Sequence, residues 1–139
     1  MSYILNINDI NDWSIKIKNQ LKYGDVVFLK GEMGSGKTTL ISNIVKKFNS
    51  KIDASSPTFS LFNVYPTKEN FQIIHIDAYR LENKHETFNL GLDYYNKAHS
   101  IYMIEWAEKL PKDFMKPTII ITLTLSNNIN ERIIHLDQY

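Results

Sequence analysis

A glycine-rich octapeptide, Gly31 to Thr38, constrains the fold of this chain more than any other stretch. Its residues, GEMGSGKT, match the pattern G-x-x-x-x-G-K-[ST] at every fixed position. The apolar run Val26 to Leu29 precedes it and has the form of a buried strand. A helix is predicted from Lys37, with five apolar residues on one face: Leu40, Ile41, Ile44, Val45 and Phe48. A strand, a glycine loop and a helix in this order are typical of a phosphate-binding loop.

Each residue type in the octapeptide has a physical role in holding phosphate. Glycines let the backbone turn so that successive N–H groups point at phosphate oxygens, and the start of the helix adds its positive end. Lys37 is expected to reach the β- and γ-phosphates, and the Thr38 hydroxyl to ligate Mg²⁺. Seven residues are predicted to bind nucleotide here: Met33, Gly34, Ser35, Gly36, Lys37, Thr38 and Thr39.

Two helical segments are predicted outside the loop. The first follows from four apolar residues at helical spacing: Ile10, Trp13, Ile17 and Leu21. Asn8 or Asp9 would cap the start of that helix, and Gly24 would end it. The second, Asn83 to Leu90, is short and polar and is expected to form one or two helical turns.

The remaining apolar runs predict strands. Three follow from aromatic and branched residues: Thr58 to Tyr65, Phe71 to Ile76 and Ile101 to Ile104, with a turn at Pro66 to Asn70. The end of the chain predicts a hairpin of Thr118 to Leu125 and Arg132 to Leu136 around Asn127 to Asn130. We therefore predict the α/β class: a P-loop NTPase-like mixed sheet, parallel at its centre with an antiparallel edge hairpin and flanked by helices. Residues 1–139 are assigned to a single P-loop domain.

Composition narrows the classes of protein to which this chain can belong. Its 139 residues suffice for one domain, and the lack of cysteine excludes disulfide scaffolds and thiolate metal sites. No stretch approaches the roughly 20 apolar residues that span a membrane, and the first residues lack a signal-peptide pattern, so a cytoplasmic protein without membrane contact is expected. The net charge is +1 and the 16 basic residues are scattered, which argues against direct binding of nucleic acid.

Two carboxylates follow predicted strands and are candidates for holding Mg²⁺ or water. Asp77 follows one strand and Glu105 another, at the edge of an α/β sheet where ligands collect. Each could instead be an ordinary solvated carboxylate, and the sequence does not divide the roles between them. His75 is interpreted as structural, because strand alternation is expected to point it away from Asp77.

Other candidates depend on position alone. Ser55 to Thr58 lies where switch proteins carry a hydroxyl that senses the γ-phosphate, although on spacing alone a Ser-Pro turn is the better explanation. Arg80 could stabilise phosphate charge or form a surface ion pair. Asn96 to His99 lacks the aspartate that reads guanine, so ATP is the predicted nucleotide. Its adenine contacts are expected near Asn8 and Ile10.

Five short motifs occur along the chain in the order seen in one known family. Gly31 to Leu40 resembles the family's G-D-L-G-A-G-K-T-T-L, Ser56 to Phe59 matches its S-P-T-F, and His75 to Leu81 matches its H-x-D-x-Y-R-L. Gly91 to Tyr94 resembles its G-L-x-E-Y, and Ile104 to Trp106 matches its I-E-W. This pattern, from about residue 24 to residue 106, resembles the TsaE family.

The resemblance implies a Mg²⁺-dependent ATPase that serves the formation of N6-threonylcarbamoyladenosine at position 37 of tRNA. It implies TsaD and TsaB as partners, with tRNA reached only through their complex. By position, Thr38 and Glu105 would ligate Mg²⁺, and Asp77 would lie beside the metal or on its water. Thr58 would be the switch-like threonine, and Trp106 an aromatic facing nucleotide or partner.

The resemblance places the catalytic role on Lys37, Asp77, Glu105 and Thr58, and puts Arg132 in the family's final strand pair, near the nucleotide. Two alternative functions are weighed against it. A small P-loop kinase needs an arginine-bearing lid, and only Arg80 and Arg132 occur in the chain. A nucleotide-dependent binding module without useful turnover fits the same loop.

Overall fold

The computed structural model describes residues 2–49, 62–67, 71–83 and 99–139, with the side chain of Arg80 excepted. The described residues form seven strands and two α-helices. In chain order these are β1 (Ser2–Asn6), α1 (Ile10–Gln20), β2 (Val26–Lys30), α2 (Lys37–Phe48), β3 (Phe62–Pro66), β4 (Gln72–Asp77), β5 (Ser100–Glu105), β6 (Ile119–Leu125) and β7 (Glu131–Gln138).

All seven strands belong to one sheet, in the order β1-β7-β6-β2-β5-β4-β3. The central pairs β6–β2, β2–β5 and β5–β4 are parallel. The outer pairs β1–β7, β7–β6 and β4–β3 are antiparallel. The predicted fold class is therefore confirmed: the sheet is mixed, parallel at its centre and antiparallel toward its edges.

The two faces of the sheet carry separate apolar clusters because side chains alternate along each strand. Both α-helices pack on one face, where Ile17 of α1 and Leu40 of α2 meet Val27 and Leu29 of β2. The opposite face holds a smaller cluster that includes Val26, and residues after β5 such as Leu110 cover it. The face that carries the helices also carries the polar residues at the ends of β4 and β5.

The predicted elements agree with the structure at α2 and differ at several boundaries. The five residues of the predicted apolar face of α2 are all buried: Leu40, Ile41, Ile44, Val45 and Phe48. The first helix ends at Gln20, not at Gly24, because the backbone is already extended at Leu21. Of the two predicted caps, Asp9 occupies the N-cap position without a side-chain cap hydrogen bond, and Asn8 lies inside a preceding 3-10 turn capped by Asn6.

Three further boundaries differ from the sequence-based expectations. Pro66 ends β3 rather than starting the turn, and both β4 and β5 extend through the carboxylates that were placed after them, Asp77 and Glu105. The strand β1 was not predicted, since Leu5 is its one buried residue. The predicted strand start at Thr58 and most of Asn83 to Leu90 lie outside the described residues. Among the described residues, no helix is long and apolar enough to cross a membrane.

Candidate functional site

The glycine loop joins β2 to α2 and requires glycine at two positions. Gly31 has φ 151°, and a Cβ built there would meet the Leu123 carbonyl oxygen and the Ser35 Oγ, each at 2.6 Å. Gly36, the residue before α2, has φ 104°, a left-handed conformation that side chains rarely adopt. The loop is therefore folded tightly against β6.

Lys37 is held by the loop that precedes it. Its side chain is almost fully buried, and its Nζ donates to the carbonyl oxygens of Gly31 and, at 3.2 Å, Glu32. Two carbonyl acceptors and burial fix the ammonium group over the loop. The positive charge therefore lies where the motif predicts the phosphates.

Thr38 connects the first turn of α2 to the end of β5. Its Oγ1 donates to the Glu105 carboxylate, 3.0 Å from Oε1 and 3.2 Å from Oε2. Glu105 is only 2% exposed, which is unusual for a carboxylate and needs compensating donors. The structure thus brings together two of the residues predicted to ligate metal, although they are 67 residues apart in sequence.

The second donor to Glu105 is His75, and here the sequence-based interpretation is wrong. His75 is 1% exposed, and its Nε2 lies 2.7 Å from Glu105 Oε2. Residues two apart on a strand share a face, so His75 and Asp77 point to the same side of β4. The ladder pairs Asp77 with Glu105 on β5, which makes His75 a diagonal neighbour of that carboxylate. The histidine therefore belongs to the site.

Asp77 lies one strand further from the loop than Glu105. It ends β4, is partly exposed, and its Oδ1 accepts a hydrogen bond from the Tyr79 backbone N–H at 3.1 Å. This contact caps the 3-10 turn of residues 78–80. Asp77 is thus beside Glu105 in register, while the direct contact to Thr38 is made by Glu105.

Trp106 lies against the loop lysine. It follows Glu105 with φ 58° and ψ 42°, a left-handed conformation that is uncommon for a bulky residue. Its ring centroid is 4.3 Å from Lys37 Nζ and 5.2 Å from the ring of Tyr79. The indole also lines a cleft of about 410 Å³ that reaches Gly31 and Lys37. This position is beside the phosphate loop, and a direct contact to nucleotide stays a prediction.

Arg132 contacts the loop from the β6–β7 hairpin. Its Nε donates to the Ser35 carbonyl oxygen at 3.1 Å, and its Nη1 donates to the carbonyls of Ile129 and Glu131, each at 2.9 Å. The contact with Ser35 braces the loop backbone, and the predicted contact of Arg132 with nucleotide stays a prediction. The Ile7 backbone N–H donates to Asn130 in the same hairpin, which also ties down the chain before α1.

The other predicted nucleotide-binding residues have varied surroundings. Met33 is 62% exposed, whereas Ser35 is 1% exposed. Because the two side chains have such different surroundings, the phosphate-binding role predicted for both residues suits their backbone N–H groups. Asn8 is exposed, and Ile10 packs against the helix-side core. Gly34 and Thr39 are exposed along the loop and the helix start. Thr58, predicted as the switch threonine, lies outside the described residues.

A family model described as threonylcarbamoyl adenosine biosynthesis protein TsaE matches residues 5–139. The chain belongs to the TsaE family. Named TsaE proteins from two bacteria are similar to it: that of Rickettsia typhi is 37% identical over 114 residues, covering 81% of this chain and 77% of that protein. That of Treponema pallidum is 27% identical over 125 residues, covering 90% and 91%. The family is involved in the biosynthesis of threonylcarbamoyladenosine in tRNA.

The fold has a counterpart among solved structures. The crystal structure of YdiB from Bacillus subtilis superposes with a TM-score of 0.67 at 24% identity, covering 96% of this chain and 82% of YdiB. At that identity the comparison supports the fold alone. The fold of this chain therefore has a known counterpart in YdiB.

The donors at this TsaE-family site fit Mg²⁺. A hydroxyl oxygen of Thr38 and a carboxylate of Glu105 are the oxygen ligands that this ion prefers, and it usually takes one or two carboxylates with phosphates and waters. Among the described residues, no group of three or more histidine or acidic side chains is arranged to hold a metal. A bound Mg²⁺ would therefore need phosphate and water to complete its coordination.

Proposed function

We propose that this chain is the ATP-binding and ATP-hydrolysing subunit of the machinery that forms N6-threonylcarbamoyladenosine at position 37 of tRNA, and that it acts on a TsaD–TsaB complex. The observation that carries the proposal is the contact of Thr38 with Glu105 beside the glycine loop. A threonine after the loop lysine and a buried carboxylate on the adjacent strand are the two protein ligands that an Mg²⁺–ATP site of this type needs.

The proposed reaction is in-line attack of water on the γ-phosphate, in which the water–phosphorus bond forms as the bond to the ADP oxygen breaks. The loop N–H groups bind phosphate oxygens, and the Lys37 ammonium stabilises the negative charge on the β- and γ-phosphates. Mg²⁺, when bound, would neutralise charge on the same phosphates. Glu105 and Thr38 would hold their oxygens toward that ion, and Asp77 would orient water at the same edge of the sheet. Thr58 is assigned the switch role by position alone.

The proposed partners are supported by the family of this chain and by its low net charge. Scattered basic residues and a net charge of +1 do not favour a direct hold on tRNA, so we assign tRNA contact to the partner complex. Hydrolysis by the chain alone is expected to be weak, because P-loop enzymes are often completed by groups supplied from a partner.

The experiment is steady-state phosphate release from ATP and Mg²⁺, first with the chain alone and then with its cognate TsaD–TsaB complex. We expect release to increase with the complex, and Lys37→Ala to lower the rate by about 100-fold because a preorganised positive donor is lost. Lys47→Ala is the matched control. Lys47 lies ten residues further along α2, roughly 15 Å away, and its Nζ contacts Asn11.

Three results would contradict parts of the proposal. ATP binding without phosphate release, even with the partners present, would favour a nucleotide-dependent binding module. ADP formation that requires a small-molecule acceptor would favour a kinase. Equal rates for wild type and Lys37→Ala would show that the loop is not the site of hydrolysis.

A further inference from the structure

His75 is a buried group that the proposed reaction does not use. It lies in β4 between Ile74 and Ile76, both fully buried, and the ladder pairs it with Met103 of β5. Its backbone is thus fixed by strands on both sides of β4. Among the described residues, its ring has one hydrogen-bond partner, the Glu105 carboxylate 2.7 Å from Nε2, while Nδ1 is buried without one. A side chain so placed has a direct effect on where that carboxylate points.

We propose that His75 is a positioning residue for the metal site: it holds Glu105 Oε2 so that Oε1 stays turned toward Thr38. The inference rests on the proposed function, since it assumes that Glu105 and Thr38 ligate Mg²⁺ beside the nucleotide. It adds the group that selects the orientation of the carboxylate.

The two donors around Glu105 differ in which of its carboxylate oxygens they contact. Thr38 supplies one hydroxyl, whose Oγ1 lies almost equally near both oxygens, at 3.0 and 3.2 Å, so it does not distinguish them. His75 contacts Oε2 alone. Because a carboxylate only accepts, Nε2 carries the hydrogen and donates. A charge-assisted bond of this length in a buried setting is stronger than a neutral one.

Loss of the histidine would remove a hydrogen-bond donor from Glu105 and leave its carboxylate free to rotate. The glutamate side chain has several rotatable bonds, and at 2% exposure water has little access to replace the lost donor. The carboxylate would then turn toward whatever donor remains. In metal sites, partners that orient a ligand in this way affect metal affinity by about 10- to 100-fold.

The test measures how much Mg²⁺ strengthens nucleotide binding, which does not depend on turnover. A fluorescent ADP is titrated into the full chain in Mg²⁺ and again in EDTA, and the ratio of the two dissociation constants is the readout. His75→Leu removes the donor, and His75→Gln keeps an N–H at about the reach of Nε2. Ile73→Val is the control, since Ile73 lies on the same face of β4, two residues earlier, within the apolar cluster.

We expect His75→Leu to lower the Mg²⁺-dependent ratio by about 10-fold while the affinity in EDTA changes little, because Lys37 and the loop amides remain. His75→Gln should recover much of the ratio, and Ile73→Val should keep it. Thermal melts identify a variant that fails to fold, in which case His75→Gln and the control carry the comparison.

The results separate this inference from the proposed function. A wild-type ratio well above one that His75→Leu retains would overturn the positioning role and leave the ATP site intact. Equal loss in His75→Leu and His75→Gln would also overturn it, because hydrogen bonding would not be the cause. A wild-type chain that binds ADP with no effect of Mg²⁺ would overturn the metal site itself, and the inference with it.

Discussion

Replacing Gly31 by alanine tests how tightly the loop is folded, and it can be done without any ligand. The added Cβ would lie 2.6 Å from the Leu123 carbonyl oxygen and 2.6 Å from the Ser35 Oγ. The first neighbour is backbone in β6 and cannot move without disturbing the ladder to β7, where Leu123 pairs with Ile134. The second is the side chain of a residue that is 1% exposed. Something in the loop must therefore shift.

Two costs add in Gly31→Ala. Its φ of 151° is unfavourable for alanine by about 1–2 kcal/mol, and the overlaps add about 1–3 kcal/mol of overpacking. Alanine also lowers the conformational entropy of the unfolded chain relative to glycine, which offsets up to about 1 kcal/mol of these costs. The net destabilisation is about 1–5 kcal/mol. At this chain length, that lowers Tm by roughly 4 °C for each kcal/mol.

Gly34→Ala is the matched control because Gly34 has φ 82° but, its chain neighbours aside, no atom of the described residues lies within 4 Å of its built Cβ. It carries the backbone strain without the overlap, so it should cost about 1 kcal/mol or less. The assay is equilibrium unfolding in urea, with free energies compared at equal slope. If Gly31→Ala costs no more than Gly34→Ala, the packing of the loop against β6 is not what requires glycine.

Ser35→Ala provides an internal check on the same reasoning. The Ser35 Oγ has no hydrogen-bond partner among the described residues, so its removal should be neutral or slightly stabilising. It also removes one of the two overlaps. In the Ser35→Ala background, Gly31→Ala should therefore cost about 1 kcal/mol less than in wild type. If the free-energy changes of the two substitutions simply add, the Ser35 side chain does not limit the space for a Cβ at position 31.

Two further changes test elements around the site. Asp25→Asn should lower the free energy of unfolding by about 1–2 kcal/mol and leave nucleotide affinity unchanged, because its buried carboxylate accepts from the Lys22 N–H and the Thr118 hydroxyl, each at 2.8 Å. A change in ADP titration would contradict this structural role. Arg132→Met should weaken ADP binding several-fold, since Ser35 loses the donor that braces the loop. Unchanged binding with normal folding would show that the loop holds its shape without that arginine.

The loop and α2 were predictable because their signals are local. Glycine spacing fixes the turn, and apolar residues at helical spacing fix the buried face of α2. The end of β5 was nearly as clear, since an apolar run stops at Glu105. Each of these predictions depends on a segment of fewer than 15 residues, and tertiary contacts did not change the structure that the local sequence favours.

Two features had no local signal because they depend on contacts that are distant in sequence, and a third, His75, was misinterpreted for a local reason. β1 carries one buried residue, Leu5, and it is a strand because β7 supplies its partner more than 120 residues later. The contact of the Arg132 guanidinium with the Ser35 carbonyl spans 97 residues and has no local signal, and the predicted contact of Arg132 with nucleotide stays a prediction. His75 was misread through a parity error, since positions two apart on a strand share a face.

Strand order explains why Glu105, rather than Asp77, meets Thr38. The glycine loop leaves β2, and β5 is the immediate neighbour of β2, with β4 one strand beyond. At about 4.8 Å between strands, the end of β4 lies roughly 10 Å from the line of β2, twice as far as the end of β5. A hydroxyl on the first turn of α2 can therefore reach Glu105, while Asp77 in register beside it is separated by a further strand. No local pattern encodes which of the two strands lies next to β2, so the sequence left both carboxylates open. The order 2-5-4 favours Glu105 as the direct ligand in our proposal, with Asp77 acting through water.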